Sequence, residues 1–137
     1  MTITTQITQG ELERQAELCL LSQPYTIFLA DNSSAALTGN DTSTDWYSNV
    51  VVDAAYADVS GTIAAGSWNG TSLRFEMPAV TATFTADAGG TGFTYDSVCV
   101  IVGYGPDYLH SIITESPSIS LAPGQSKTYI ITFAQDD

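Results

Sequence analysis

One histidine, His110, stands in the stretch YLHSII. A serine nucleophile would need it as its base, with a carboxylate to orient the ring. Serines are plentiful, but no G-x-S-x-G elbow occurs. His110 therefore reads as a half-exposed strand histidine. Cys99 lies in the apolar run SVCVIVG, where its neighbours raise the thiol pKa and leave it inert. Carboxylates in pairs perform glycoside hydrolysis, and the chain holds fifteen Asp and Glu. Asp31, Asp41, Asp45, Asp87 and Asp107 all fall among turn formers, where turn formation and solvation account for them.

Metal and phosphate chemistry find little support. No Cys or His spacing fits zinc. DTSTD (41–45) offers oxygens for a loop calcium site without matching the EF-hand pattern. GGTG (89–92) runs into strand signals instead of a helix, so it does not form a phosphate cradle. The expectation is a chain without catalytic residues, metal or cofactor, and not an enzyme. Aromatic residues remain. Trp46, Tyr47, Trp68, Tyr95, Tyr104 and Tyr108 include several near turns. Trp46, Trp68 and Tyr104 are candidates either for interface anchors, where Trp and Tyr are favoured, or for platforms under a sugar ring.

Charge narrows the partners. Arg14, Arg74 and Lys127 are the basic residues, and the formal net charge is −12. Phosphate neutralisation needs clustered Lys and Arg, so nucleic acid is not an expected partner. Anionic membrane surfaces are disfavoured on the same ground. The N-terminus lacks the basic start and apolar core of a secretion signal, and no apolar run approaches the ~20 residues of a membrane span. The sequons at Asn32, Asn40 and Asn69 then read as chance in a Ser/Thr-rich chain. Cys19 and Cys99 both read as small buried hydrophobes with free thiols.

The elements that must position these residues are mostly strands. The 137 residues suffice for one domain with an apolar core. Charged residues are 13% of the chain, about half the usual share, and Ser, Thr, Ala and Gly take their place. TITTQIT (2–8) has strand propensity but no adjacent hairpin partner. A helix follows. Thr8 and Glu11 form a capping-box pattern, and Ile7 and Leu12 a hydrophobic staple. Leu12, Ala16, Cys19 and Leu20 make one apolar stripe, and Pro24 ends the helix.

From Tyr25 onward period two dominates. YTIFLA (25–30) reads as a buried strand, 31–44 as a long surface loop, and WYSNVVVDAAYADV (46–59) as a strand pair or one bent strand. Asn69-Gly70 is a strong hairpin signal. SLRFEM (72–77) places Leu73, Phe75 and Met77 on one face. AVTATFTA (79–86) sets Val80, Ala82, Phe84 and Ala86 against Thr81, Thr83 and Thr85. FTYDSVCVIVGY (93–104) has the apolar core of a central strand. YLHSIITES (108–116) and SISL (118–121) flank Pro117, and SKTYIITF (126–133) closes the series. Short strands at this spacing predict a mainly β fold. The spacing suits a sandwich or a barrel, and the closing segment ISLAPGQSKTYIITF resembles the final strands of immunoglobulin-like and jelly-roll-like sandwiches, which implies an antiparallel β-sandwich of either type, preceded by an extended N-terminal arm and one short α-helix. The expected division is an arm and helix over 1–24 and a sandwich domain over 25–137.

The stretch ALTGNDTSTDWYSNVVVDAAYADVSGTIAAGSWNGTSLRFE, continued by VTATFTADAGGTGFTYDSVCVIVGY, resembles small virion structural proteins of tailed bacteriophages. The likeness lies in a polar arm leading into a β-sandwich rich in Thr, Ala and Gly. It implies a capsid decoration (cement) protein, localised in the virion. Such a protein would bind the outer capsid shell as a homo-oligomer, a trimer or dimer, and stabilise it. The alternatives are a tail, fibre or baseplate component, or a carbohydrate-binding β-sandwich module. A helix of roughly 14 residues is marginal alone, so Ile3, Ile7, Leu12, Leu20 and Leu21 are expected to anchor the leading segment on a partner, a second copy or a capsid protein.

Overall fold

The computed structural model describes residues 8–33, 37–38, 41–51, 56–103 and 110–136. The fold is mainly β, with antiparallel sheets. The chain divides into two compact units. The first comprises 1–23, 62–80 and 130–137, and the second 24–61 and 81–129.

The first unit is a helix on a small sheet. Helix α1 spans Gln9–Cys19. The sheet has strands β3 (Ser67–Asn69), β4 (Arg74–Glu76) and β9 (Ala134–Asp136), in the order β3-β4-β9. Thr8 caps α1, its hydroxyl accepting the Glu11 N–H at 3.3 Å. The predicted capping box is only half made. The Glu11 carboxylate does not turn back to the cap, because Arg14 grips it with two bonds at 2.8 and 2.6 Å and Gln15 adds a third.

Leu12, Ala16 and Leu20 are buried, and α1 contacts β4, β9 and β3. Cys19, expected in that stripe, is exposed. Below the helix, Gln23 and Ser22 exchange backbone hydrogen bonds with Ile63 at 3.0 and 2.9 Å. The Asn69-Gly70 hairpin forms with Trp68 opposite Phe75. Its turn is longer than the two-residue minimum, because the Asn69 side chain accepts the N–H groups of Thr71 and Ser72. Leu73 is drawn into that turn at φ 56° and is 61% exposed. It therefore leaves the face it was expected to share with the buried Phe75 and Met77.

The second unit holds β1 (Pro24–Ala30), α2 (Ser43–Tyr47), β2 (Val59–Thr62), β5 (Val80–Thr85), β6 (Phe93–Val102), β7 (Ser111–Leu121) and β8 (Ser126–Ile131). One four-stranded sheet has the order β2-β1-β6-β7, and β5 and β8 pair as a two-stranded ribbon. β6 is central, as its apolar run requires, with Phe28 opposite Cys99 and Cys99 opposite Ile112. On one face Phe28, Ala30, Cys99 and Ile101 pack with Trp46 from α2. The alternate residues Ile27, Leu29, Val98 and Val100 are equally buried. Tyr56, Phe84, Phe93, Tyr95 and Tyr129 form a connected series of ring contacts.

Two expectations need correction here. The segment from Trp46 does not begin a strand. Thr42 and Asp45 make a full capping box, which starts the short helix α2 instead. The chain then meets β1 through the bridge Ala30–Val50 and the bonds beside it, and Tyr47 stacks on Phe28. The two strands expected around Pro117 are one strand, β7. Its register jumps, however, for Ser97 faces Thr114 while Tyr95 faces Ile119, so residues 115–118 bulge from the ladder.

Candidate functional site

The second unit carries a cleft of about 530 Å³, walled by the loop that follows β1, α2, β6 and the start of β7. Asp96 sits in it, a charged residue inside a strand that is otherwise apolar toward its end. Its Oδ1 accepts the Asn32 backbone N–H at 2.9 Å and the Ser97 hydroxyl at 2.9 Å. The Asn32 side chain folds the loop above it, donating to the Leu37 carbonyl at 2.9 Å and accepting the Leu37 N–H at 3.3 Å. Trp46 donates its indole N–H to the Thr38 carbonyl at 2.9 Å. Sheet and loop are thus locked together around one carboxylate.

His110 stands at the rim of this cleft, exposed, with its backbone N–H held by the Val100 carbonyl at 2.8 Å. The protein around the ring disfavours the imidazolium, so the pKa falls below the usual histidine value. Its Nδ1 lies 3.5 Å from the Ser111 hydroxyl. The carboxylate in the same cleft is engaged by Asn32 and Ser97. Among the described residues the cleft presents one carboxylate, several hydroxyls, an imidazole and apolar side chains.

The residues expected to matter are scattered. Leu12 and Leu20 are buried in their own chain, at 1% and 4% exposure. Burying each side chain is worth ~1.5–3 kcal/mol, which offsets the marginal stability of an 11-residue helix. These two leucines thus pack within their own unit. Leu21 is half-buried. Ile3 and Ile7 lie outside the described residues, as does Tyr104. Trp46 is 2% exposed, too buried to carry a stacked sugar or a partner on its ring face. Trp68 is half-buried on β3.

Asp41 and Asp45 of DTSTD are occupied by donors. Asp41 accepts the Thr38 N–H at 2.6 Å and the Thr38 hydroxyl at 3.1 Å, and Asp45 accepts the N–H and hydroxyl of Thr42. Among the described residues, no cluster of His, Cys, Asp or Glu is placed to hold a metal, and no helix is long and apolar enough to cross a membrane. Cys99 is buried and its thiol is pushed up to about 12 by desolvation. Asn32 and Asp96 escaped sequence reasoning as site residues. The available signal was a carboxylate interrupting the strand FTYDSVCV. The chain matches no protein-family model, no curated protein and no solved structure.

A second feature of this unit is a face without charge. Thr81, Thr83 and Thr85 on β5 and Ser126 and Thr128 on β8 are all exposed. Thr83 bonds Thr128 at 2.9 Å, and Thr85 bonds Ser126 at 2.7 Å. On the opposite side of the ribbon Ala82, Phe84, Tyr129 and Ile131 are buried. Lys127 belongs to that opposite side in alternation and lies 5.9 Å over the Tyr129 ring.

Proposed function

We infer that this protein is a non-enzymatic structural component of a virion, specifically a capsid decoration protein. It binds the outer shell as a homo-oligomer and stabilises it, and the β5–β8 ribbon is its contact face. The four-stranded sheet and the ribbon are the two layers of a β-sandwich in this reading. The observation that carries it is the uncharged ribbon face. On a chain with net charge −12, a solvent face would be expected to share the acids, whereas the centre of a protein interface is depleted in charge. The cross-strand hydroxyl pairs hold that face flat and leave further acceptors for a partner. The layout resemblance to small phage virion proteins supports the same role. Ile3 and Ile7 remain the proposed anchors of a leading arm, while Leu12 and Leu20 already serve their own unit.

Attachment that favours the assembled shell stabilises it by mass action. The test is quantitation of the protein in purified particles, beside a Thr83→Lys variant of unchanged thermal stability. The expected result is a copy number comparable to the capsid protein, with the variant lost from particles. Full attachment of the variant, or absence of the wild-type chain from virions, overturns the proposal. A handful of copies per particle would instead assign it to the tail, fibre or baseplate.

A further inference from the structure

We propose that the Asp96 cleft is a binding site for a neutral polyhydroxylated ligand, a sugar residue, distinct from the assembly face and independent of it. Its volume of about 530 Å³ falls in the range of small-ligand sites. The polar groups are built in, not merely exposed. Asp96 Oδ1 takes both internal hydrogen bonds, which fixes the carboxylate and leaves Oδ2 as acceptor for a ligand hydroxyl. A hydroxyl-to-carboxylate bond of this kind is short and strong. Ser111 and Thr114 add two hydroxyls from β7, each able to donate and accept.

Opposite these, Leu37 and Ile112 supply apolar surface suited to the C–H groups of a sugar ring. Trp46 fixes the loop and does not carry the ligand, since its N–H is held by the Thr38 carbonyl and its ring is nearly covered. The same composition rejects other ligand classes. An anion would meet Asp96 in a lining that contains no Lys or Arg. A wholly apolar ligand would strip water from that carboxylate without replacing its hydrogen bonds. A calcium ion takes six to eight oxygens with several carboxylates among them, and among the described residues the lining holds one acid.

The experiment uses the full chain at pH 7. Saturation-transfer NMR and calorimetry are run with methyl glycosides of the common hexoses and N-acetylhexosamines, with the free monosaccharides, and with a glycan array. At least one sugar should show saturation of its ring C–H protons. Binding of glycosides and array glycans marks a terminal glycan residue as the ligand, and binding of reducing sugars alone marks a free monosaccharide. Asp96→Asn keeps the shape and should weaken binding by about tenfold or more, because a hydrogen bond to a charged acceptor is the stronger kind. Thr114→Val and Ser111→Ala alter exposed side chains, keep the fold, and should each weaken binding several-fold. The proposal is overturned if no sugar binds, if Thr114→Val and Ser111→Ala both bind as the wild type does, or if only amine-bearing ligands bind. Particle attachment of the Thr114→Val variant should stay unchanged, so a failed sugar test leaves the assembly role standing, and the converse also holds.

Discussion

Tyr95, Tyr129 and Glu115 form a directed chain that makes two similar substitutions unequal. The Tyr129 hydroxyl donates to Glu115 Oε1 at 2.7 Å, so its own oxygen must accept the Tyr95 hydroxyl, 2.8 Å away. Tyr95 is wholly buried, and Tyr129 is 9% exposed. Tyr95→Phe removes one neutral hydrogen bond and leaves Tyr129 still bonded to Glu115. Its expected cost is ~1 kcal/mol, the net worth of an ordinary bond.

Tyr129→Phe removes the middle of the chain. The Tyr95 hydroxyl is then stranded in a dry core, at ~1–3 kcal/mol. Glu115, half-buried, loses the hydroxyl donor to its carboxylate but can recover water, which adds ~0.5–1 kcal/mol. The sum is about 1.5–4 kcal/mol, a large share of a typical total of ~5–15 kcal/mol. The assay is urea unfolding of the wild type, both single variants and the double variant at pH 7. In the double variant the stranded hydroxyl is gone, so its cost should fall below the sum of the two singles. If Tyr95→Phe costs as much as Tyr129→Phe, the assigned direction of the chain is wrong.

Other outcomes follow from the same geometry. Gly66→Ala should destabilise by ~1–3 kcal/mol in urea unfolding, because its Cβ would run into the Glu76 carbonyl, a backbone group that cannot step aside. Gly10→Ala, in α1 with open space around it, should stabilise by ~0.5–1 kcal/mol. Acid should weaken the protein through Glu11 and Glu76. Hydrogen bonds from Arg14 bring the Glu11 carboxyl down to about 2, and Arg74 lowers that of Glu76. Both are lower folded than unfolded, so their contribution is full above the usual carboxylate range. It is lost as the pH falls from that range toward about 2, visible as a falling thermal midpoint that Glu11→Gln flattens. A thiol reagent should modify exposed Cys19 in the native protein and reach buried Cys99 only on unfolding, as peptide mapping would show.

The strands were legible where both faces or one face repeat cleanly. AVTATFTA delivers buried Ala82 and Phe84 and exposed threonines because nothing local competes with the alternation. The apolar run at 98–102 gave away the central strand, since only burial on both faces explains it. Trp46 misled because its aromatic and β-branched neighbours have strand propensity, while the capping box just upstream, Thr42 with Asp45, decides the conformation. The cleft was not legible because Asn32, Asp96 and Thr114 come together only through strand register. β9, three residues at the chain's end, is held by its pairing with β4 and carries too few residues to show a pattern of its own.

The register jump in β7 bears on how many copies can live side by side. Among the described residues β7 is the last strand of its sheet, and an uninterrupted eleven-residue rim would invite another chain to zip along it. Residues 115–118 break that rim into two short runs, with Pro117 withholding an amide at the break. Molecules crowded at high local density would thus keep their rims from fusing into fibrous stacks, and self-contact would be left to faces shaped for it.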